Sequence, residues 1–548
     1  MRFELNFMSL KIFKFTFFGI ILAEFFSFFG YFYPIVNKTA FFVIIIAVLA
    51  VSLYKLEYGL LIAFAELIIG SKGYLFYFDA GGFSISIRIA LWLIIMAVWA
   101  GKIINGFVKN KKLKIEFLKS PYAKYFIILF VFIAWGVVNG ILRGNSFDNL
   151  FFDFNGWLYF LLVFPVYDVV RNARNIKPRY NNYPQETPQP PFTRGASAAF
   201  AAAIFWLCFK TFFLLFIFSH LSPETIYEIY RWVRTTGVGE ITQIKGGFYR
   251  IFFQSHIFVL AGFFIFLIAF IDKILKLGKT EEVDISMEKL TFEQKLSKKN
   301  TFLLLCFFVF LFSVILISFS RSFWVGLVSG LIMVFGYLIW QKISIKKIVQ
   351  IGAFLIGAAV VSVGFIVLMV NFPYPKPIGG FETANLLTER ASNLNESAAL
   401  SRWDLLAPLW QKIKKAPVLG EGFGATVIYK SSDPRVLRLN PSGEYTTYAF
   451  EWGWLDIWLK LGIGGIIAYL ILIGKIIIDG VIKNSKLKNQ NDNLKFKIIG
   501  GAVIGIIVIS VVNIFSPYLN HPLGIGYLIL VSVILNKKGV LKLTPDAK

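Results

Sequence analysis

The 548-residue chain is 57% hydrophobic, and its mean hydropathy of +0.69 excludes an ordinary soluble globular protein. Its net charge of +25 comes from Lys and Arg scattered over short loops. This distribution argues against a nucleic-acid-binding domain and is typical of cytoplasmic loops in membrane proteins. We therefore expect an all-α polytopic integral membrane protein.

Apolar segments of membrane-spanning length recur along the whole chain. The first is long and lacks a small-residue cleavage site, so we expect a retained span and not a cleaved signal peptide. About fourteen transmembrane helices are predicted, the second and third of them short enough to be re-entrant or tilted. They lie near 12–33, 39–54, 57–70, 85–107, 123–142, 150–170, 197–219, 250–271, 302–319, 322–340, 348–371, 450–478, 498–516 and 522–536.

Six connections between these segments are rich in Lys and Arg, and they alternate with connections that are not. They are 109–120, 171–179, 273–299, 341–347, 483–497 and 536–542. Because such loops stay on the cytoplasmic side, both termini are expected to be cytoplasmic. The opposite face then carries segment 220–249 and one large extracytoplasmic loop, 373–449, which is expected to contain short helices.

The sequence divides into three predicted parts. Residues 1–245 hold N-terminal membrane helices, 246–478 form a core that includes the large outer loop, and 479–548 hold C-terminal membrane helices and a cytoplasmic tail. Segment 181–198 is rich in Pro, Gln and Asn and is predicted to be a flexible cytoplasmic insert. The two cysteines fall in apolar segments, which leaves no disulfide framework and no metal-ligand spacing.

Arg321 is the only charged residue between Thr301 and Trp340. A single helix over this block would measure about 60 Å, twice the hydrocarbon thickness of about 30 Å. The block is therefore predicted to form two spans joined by a tight turn at SFSRS. Arg321 would then lie at the outer membrane surface between two helix ends.

The large outer loop contains ALSRWDLLAPLWQKIKKAPVLGEGFGA, in which Trp403, Leu406, Trp410 and Ile413 recur at helical spacing. Its proline and glycines predict the end of that helix near Pro417. The simplest interpretation is an amphipathic helix that rests on the bilayer with its charges solvated.

The next element, EWGWLDIWLKLGIGGIIAYL, is too long for one span, so its first turns are expected to stand above the bilayer. Glu451 is predicted to share a helical face with Trp454 and Trp458. Asp456 and Lys460 are four residues apart and are expected to pair. Glu451 would lie in an outer vestibule, either as a functional group or as a hydrated interfacial carboxylate.

Several arginines and all three histidines are expected near the outer face. The arginines are Arg250, Arg321, Arg390 and Arg402, and the histidines are His220, His256 and His521. Arginine binds phosphate through a planar fork and stays charged, which suits an anionic lipid headgroup such as a diphosphate. Each histidine alone fits an interfacial hydrogen-bonding group better than a catalyst, and the histidines show no zinc-ligand spacing.

The motifs SFSRSFWVGL, SRWDLLAPLWQKIKKAPVLGEGFG and EWGWLDIWLKLGIGG follow one another in an order that resembles the core of the O-antigen ligase and polymerase family. There an SR precedes a span, an R…W…A…I…P..G.G.G element follows in the large outer loop, and the next segment ends in G..G. The resemblance covers roughly residues 245–470. The glycine-rich PVLGEGFG element is its more specific part, and the SR alone is weak.

The resemblance implies an inverting glycosyltransferase, similar in architecture to the GT-C class, in surface polysaccharide (O-antigen and lipopolysaccharide) biosynthesis. It would transfer or polymerise a glycan from a polyprenyl-diphosphate donor at the outer face of the bacterial inner membrane, with no nucleotide sugar, metal or other cofactor. Expected partners are that donor, a glycan or lipid acceptor and the bilayer, but no nucleic acid. A chain-length regulator is an open question.

The resemblance also implies roles for individual residues. Arg321 would bind and neutralise the leaving diphosphate, with Arg250 and Arg402 as further contacts. Arg390 and His521 are additional candidate contacts to the diphosphate or the glycan.

One position departs from the family pattern. Ligases that attach O-antigen to lipid A–core commonly carry a histidine eleven residues before the first glycine of G..G, and the residue eleven before Gly462 is Glu451. A glutamate can still act as general base on an acceptor hydroxyl. Polymerisation, or ligation to a different acceptor, therefore stays open beside O-antigen ligation.

Two other classes of function are weighed against glycan transfer. A polysaccharide-lipid flippase should show two related halves and charged residues within its spans. The sequence shows no internal repeat, and its spans are expected to be nearly free of central charge. A metal-dependent enzyme that uses a monosaccharide-phosphate lipid is disfavoured, because the first outer loop, YPIVNKT, has no acidic residue.

Overall fold

A computed structural model describes residues 7–81, 83–111, 114–172, 191–244, 248–277, 292–378, 397–489 and 493–536, and this part of the chain is mostly helical. Its helices are α1 (Phe7–Phe32), α2 (Pro34–Tyr54), α3 (Leu56–Ile69), α4 (Ile87–Asn110), α5 (Ala123–Leu142), α6 (Phe147–Phe154), α7 (Val163–Asn172), α8 (Pro191–His220), α9 (Pro223–Thr235), α10 (His256–Leu277), α11 (Phe292–Ile317), α12 (Arg321–Trp340), α13 (Ile345–Val370), α14 (Ser397–Lys415), α15 (Pro434–Leu439), α16 (Gly453–Asn489), α17 (Asn493–Val512) and α18 (Pro522–Ile534). Two 3₁₀ segments, Glu116–Lys119 and Asn155–Leu162, lie before α5 and α7.

Three antiparallel hairpins lie in the connections between helices. They are β1 (Tyr77–Ala80) with β2 (Phe83–Ser86), β3 (Glu240–Gln243) with β4 (Tyr249–Phe252), and β5 (Val427–Lys430) with β6 (Glu444–Thr447). The segment expected to be a large loop with short helices thus contains α14 and α15 and also the third hairpin, in which Val427 pairs with Thr447.

Ten helical segments in the described part are long and apolar enough to cross a membrane. They are Leu10–Phe32, Pro34–Tyr54, Ile87–Lys109, Ala123–Leu142, Phe147–Val170, Gly195–His220, His256–Leu275, Arg321–Trp340, Ile345–Val370 and Gly453–Ser485. Three shorter apolar helices are Phe302–Ile317, Lys497–Val512 and Pro522–Ile534. The predicted class, a polytopic helical membrane protein, is confirmed, and the count of fourteen spans stays a prediction.

The chain forms two compact units, each assembled from separate stretches. Unit 1 comprises Met1–Lys114, Asp168–Thr383 and Gln490–Gly505, and unit 2 comprises Ile115–Tyr167, Ala384–Asn489 and Ile506–Lys548. The three parts predicted from the sequence are contiguous stretches and do not follow these units. The three-part division therefore stays a prediction, based on sequence motifs.

In unit 1, α8 is a central helix, because α1, α3 and α11 all pack against it. The first turns of α8 include residues 191–198 of the segment predicted to be a flexible insert, and residues 181–190 lie outside the described residues. In unit 2, α5 packs along α16, and α14 packs against β5 and α16.

Two buried ion pairs hold helices of unit 1 together. Lys210 on α8 donates to Glu24 on α1 at 2.6 Å, and Arg88 on α4 donates to Glu66 on α3 at 2.9 Å. All four side chains are buried. Glu24 and Lys210 are exceptions to the expectation that the spans are nearly free of central charge, because both lie inside candidate spans. A charged residue inside a span is stable when it meets an opposite charge on a neighbouring helix.

Removing one partner of such a pair leaves the other buried without a counter-charge. We expect Lys210→Met to lower the free energy of unfolding by about 3–5 kcal/mol, because Glu24 then stays buried without its cation. The double variant Glu24→Gln/Lys210→Met should recover most of this loss. Thermal and denaturant unfolding of the purified protein in detergent measures both.

The control is Lys119→Ala, which removes the half-exposed lysine of the Lys119–Glu116 pair. This exposed pair should contribute less than about 1 kcal/mol. Equal losses in Lys210→Met and Lys119→Ala would contradict the buried pair as a stabilising contact.

Candidate functional site

The turn between α11 and α12 carries Arg321. Helix α11 ends at Ile317 and α12 begins at Arg321, so the predicted break in the apolar block is confirmed. Phe319 adopts a left-handed conformation (φ 44°), which helps to reverse the chain in this short turn. Arg321 is partly exposed, and it places a fixed positive charge where the first N–H groups of a helix lack intrahelical partners. A cation together with a helix N-terminus can bind an anion.

Arg250 packs against the same turn. It lies on β4 and does not open a span as predicted, because α10 begins only at His256. Its Nε donates to the carbonyl oxygen of Ser318 at 2.8 Å, and its guanidinium carbon lies 4.8 Å from the ring centroid of Phe252. Arg250 and the turn that carries Arg321 are thus joined within unit 1.

Two of the three histidines are buried hydrogen-bonding groups of unit 1. The Nε2 atom of His256 lies 2.9 Å from the hydroxyl of Thr211. The ring nitrogens of His220 lie 2.8 and 2.9 Å from the carbonyl oxygens of Phe216 and Phe372. Both contacts match the non-catalytic interpretation of these histidines.

Arg390 and His521 are the two additional residues predicted to contact the diphosphate or the glycan. Arg390 lies outside the described residues. His521 belongs to unit 2 and is the N-cap residue of α18. In the part of the chain that the structure describes, no group of three or more His, Cys, Asp or Glu is arranged to hold a metal ion.

The predicted helix in the outer loop is confirmed as α14, and the face that it packs against protein lies beside the predicted apolar stripe and shares Ile413 with it. The buried residues are Leu405, Leu409 and Ile413, at spacings of four. Trp403 and Trp410 are 56% and 38% exposed. The buried stripe is rotated because α14 packs on β5 and α16, so its inner face is set by protein contacts and not by hydropathy alone.

Arg402 on α14 forms an exposed ion pair with Glu451, from its Nε to the Oε2 of the carboxylate. The two side chains are 37% and 50% exposed. The indole of Trp452 donates to the carbonyl oxygen of Arg402 at 2.9 Å, which joins the two backbones. Helix α16 begins at Gly453, so the prediction that Glu451 shares a helical face with Trp454 is wrong. The side chains of Arg402 and Glu451 nevertheless meet within unit 2.

Residues 416–424, which we call the glycine element, follow α14 and pack on α5. The side-chain amide of Asn139 donates to the carbonyl oxygen of Gly420 at 2.9 Å. Arg143, which directly follows the last residue of α5, contacts Glu421 at 3.1 Å. The helix end predicted from the proline and glycines is confirmed, and these contacts hold the element in place within unit 2.

Two glycines allow the close approaches that this packing requires. Gly422 has φ 78°, and a Cβ there would lie 2.2 Å from the backbone nitrogen of Gly140 on α5. Gly462 interrupts α16 with φ 69°, and a Cβ there would lie 2.1 Å from the carbonyl oxygen of Val418. Gly420 of the G.G.G motif also lies against Gly462 of the G..G motif, since a Cβ at Gly420 would lie 2.7 Å from the backbone nitrogen of Gly462.

A buried charge network lies beside this contact. Lys460 on α16 contacts both Asp456 and Asp153, so the predicted Asp456–Lys460 pair is confirmed. Asp153 also accepts the backbone N–H of Gly424 at 2.9 Å, and Asp456 accepts from Asn520. Sequence reasoning missed Asp153, although an acidic residue in an apolar span is itself a signal that it has a partner.

Residues 306–470 match the family model described as O-antigen ligase. The resemblance predicted from the motifs is therefore confirmed over this stretch, which contains Arg321, Arg402, Glu451 and the glycine element. Arg250 and His521 lie outside the matched residues. No curated protein matches the chain.

The close packing of Gly422 generates a prediction. Gly422→Ala should destabilise the protein by about 3 kcal/mol, because an L side chain is strained at this φ and collides with α5. Gly357→Ala on α13 is the matched control, since a Cβ there meets nothing within 4 Å. Thermal unfolding midpoints in detergent compare the two, and wild-type behaviour of Gly422→Ala would contradict the packing described here.

Proposed function

We propose that the protein is an inverting glycosyltransferase that takes a glycan from a polyprenyl-diphosphate donor at the outer face of the bacterial inner membrane. The match of residues 306–470 to the O-antigen ligase model carries this proposal. The acceptor is a growing glycan or a lipid, so the product is a lengthened chain or a glycolipid. No cofactor takes part in the proposed reaction.

The proposed orientation is supported by the order of the connections. Lys/Arg-rich connections follow α4, α7, α10, α12 and α16, and such loops favour the cytoplasmic side. The hairpin of Arg250, the turn of Arg321 and segment 397–452 all fall in the alternate set. If each intervening helical segment crosses the membrane, these three features share the outer face.

Arg321 and Arg250 are the proposed diphosphate ligands of unit 1. Guanidinium groups form paired, charge-assisted hydrogen bonds with phosphate oxygens, and helix N-termini favour anions. Arg250 is held by its bond to Ser318 and by the ring of Phe252 before substrate binds. Donors fixed in advance stabilise the charge that develops on a leaving group, which is usually a large contribution to catalysis.

Glu451 is the proposed general base of unit 2. Its Oε2 is bound by Arg402, which orients the carboxylate, and its Oε1 accepts the proton of the acceptor hydroxyl. The acceptor oxygen then forms a bond to the anomeric carbon as the bond from that carbon to the phosphate oxygen breaks. The electron pair leaves with the polyprenyl diphosphate. Attack from the opposite face inverts the anomeric configuration.

A flippase is the second candidate, and one observation favours it. Glu24 and Lys210 are charged residues inside spans, as transport pathways require, although they bond to each other.

An assay in liposomes distinguishes the transferase from the flippase. The purified protein is supplied with lipid-linked oligosaccharides extracted from the cells that produce this protein. A ladder of longer glycans indicates a polymerase, and a single shift that requires an added lipid acceptor indicates a ligase. A donor that changes leaflet but stays chemically intact would remove the transferase proposal.

Loss of the proposed diphosphate clamp should slow transfer strongly. We expect Arg321→Ala to lower kcat about 10²–10³-fold, the range found when one donor to a developing anion is removed. Arg231→Ala, which removes an exposed arginine from α9, should leave the rate unchanged. The rate of glycan release is measured in liposomes at saturating donor, and equal rates for the two variants would exclude the role of Arg321.

Loss of the proposed base should affect the chemical step more than donor binding. We expect Glu451→Gln to lower kcat about 10²–10⁴-fold while donor KM changes little, because a base acts in the transition state. Glu444→Gln on β6 is the control, since Glu444 is an exposed glutamate of the same outer segment. A Glu451→Gln enzyme with wild-type kcat would make this residue a hydrated surface carboxylate.

A further inference from the structure

The N-terminal half of α14 carries an exposed tryptophan, Trp403, which follows Arg402 of the Arg402–Glu451 pair. Trp403 is 56% exposed, and its ring packs edge-on against Trp452 with centroids 5.3 Å apart. Trp452 is buried and is itself fixed by its bond to the Arg402 carbonyl oxygen. The exposed indole is therefore held at one edge and presents the rest of its surface to solvent.

A second tryptophan pair sets the direction of α14. Trp410 packs edge-on against Trp458 with centroids 5.4 Å apart, and Trp458 donates to the carbonyl oxygen of Pro417. Helices α14 and α16 therefore run side by side in the same direction. Trp403 lies at the level where α16 begins, about 15 Å along the axis from the kink at Gly462.

The surroundings of Trp403 suit a sugar. The carboxylate of Asp404 accepts from the hydroxyl of Ser432 at 2.9 Å, and the hydroxyl of Ser401 lies 3.1 Å from that of Tyr429. Ser401 and Asp404, together with Arg402 of the Arg402–Glu451 pair, flank Trp403 in sequence and supply polar groups of both charges. A sugar offers an apolar C–H face to an aromatic ring and hydroxyls to polar groups around it.

Contact with a lipid surface explains Trp410 better than Trp403. The Nζ of Lys414 lies 5.8 Å from the Trp410 ring, and Lys412 and Lys415 are on the same turns. Lysines and tryptophan together are typical of an interfacial helix end. Trp403 instead packs on Trp452, which directly follows Glu451 in the chain, and Asp404 directly follows Trp403. An anionic membrane surface repels such carboxylates.

We propose that Trp403 is the stacking platform for a sugar residue of the acceptor glycan. The sugar packs on the exposed indole, and its hydroxyls bond to the polar groups around the ring. The attacking hydroxyl is thereby placed at Glu451. This proposal rests on the proposed transferase function and adds an acceptor subsite to it.

The test compares Trp403→Ala with Trp410→Ala, the same change in a matching pair on the same helix. Transfer is measured in liposomes with the extracted lipid-linked oligosaccharides, and KM is determined separately for donor and acceptor. We expect Trp403→Ala to raise the acceptor KM about tenfold, equal to about 1.4 kcal/mol of lost binding, with donor KM unchanged. Trp403→Phe should restore most of the affinity, and Trp410→Ala should leave both KM values unchanged.

A binding measurement keeps this inference separate from the transferase proposal. Oligosaccharides released from the same lipids by mild acid are added to detergent-solubilised protein, and saturation-transfer NMR detects their contact. If the wild type transfers glycan and Trp403→Ala has an unchanged acceptor KM, the platform is wrong and the transferase stands. If the wild type transfers nothing yet binds the glycan through Trp403, the transferase fails and the sugar site remains. Absence of both transfer and binding overturns both.

Discussion

Unit 2 depends on one buried lysine. Lys460 contacts Asp153 and Asp456, and all three side chains are buried. Desolvating such ions costs several kcal/mol each, and their attraction offsets this cost only when the remaining hydrogen bonds are made. Asp153 makes one of these with the N–H of Gly424. The network therefore fixes the glycine element to α16, and α14, which leads directly into that element, carries Arg402 to a defined position.

Local patterns predicted much of the helical fold. The break before Arg321 followed from comparing the length of an apolar block with the thickness of a bilayer, and α14 and its end followed from helical spacing and from glycines. The three hairpins could not be predicted from the sequence. Their strands have four residues each and lie in connections between helices, where an alternation of period two is too short to detect. The charge pair between Glu24 and Lys210 joins helices far apart in sequence, so no local pattern contains it.

The candidate site was predicted residue by residue, but not as an arrangement. The Asp456–Lys460 pair could be predicted from the sequence, because a four-residue spacing places both residues on one helix face. Asp153 lies about three hundred positions from Lys460, and its partner is set by tertiary packing. Glu451 was expected on a helix because its neighbours alternate at helical spacing. The helix begins only at Gly453, so Glu451 precedes it, and its carboxylate meets Arg402.

The contrast between buried and exposed ion pairs bears on which residues meet a substrate. Breaking a buried pair such as Lys460–Asp153 leaves an uncompensated charge and costs several kcal/mol, so these residues hold the scaffold and are not free to rearrange. The Arg402–Glu451 pair lies in solvent, where an ion pair contributes only about 0–1 kcal/mol. A phosphate or a sugar hydroxyl can therefore replace one partner at little cost. Weak pairing on a rigid support is the condition that a general base requires, since it must release one contact and accept a proton without disturbing the fold.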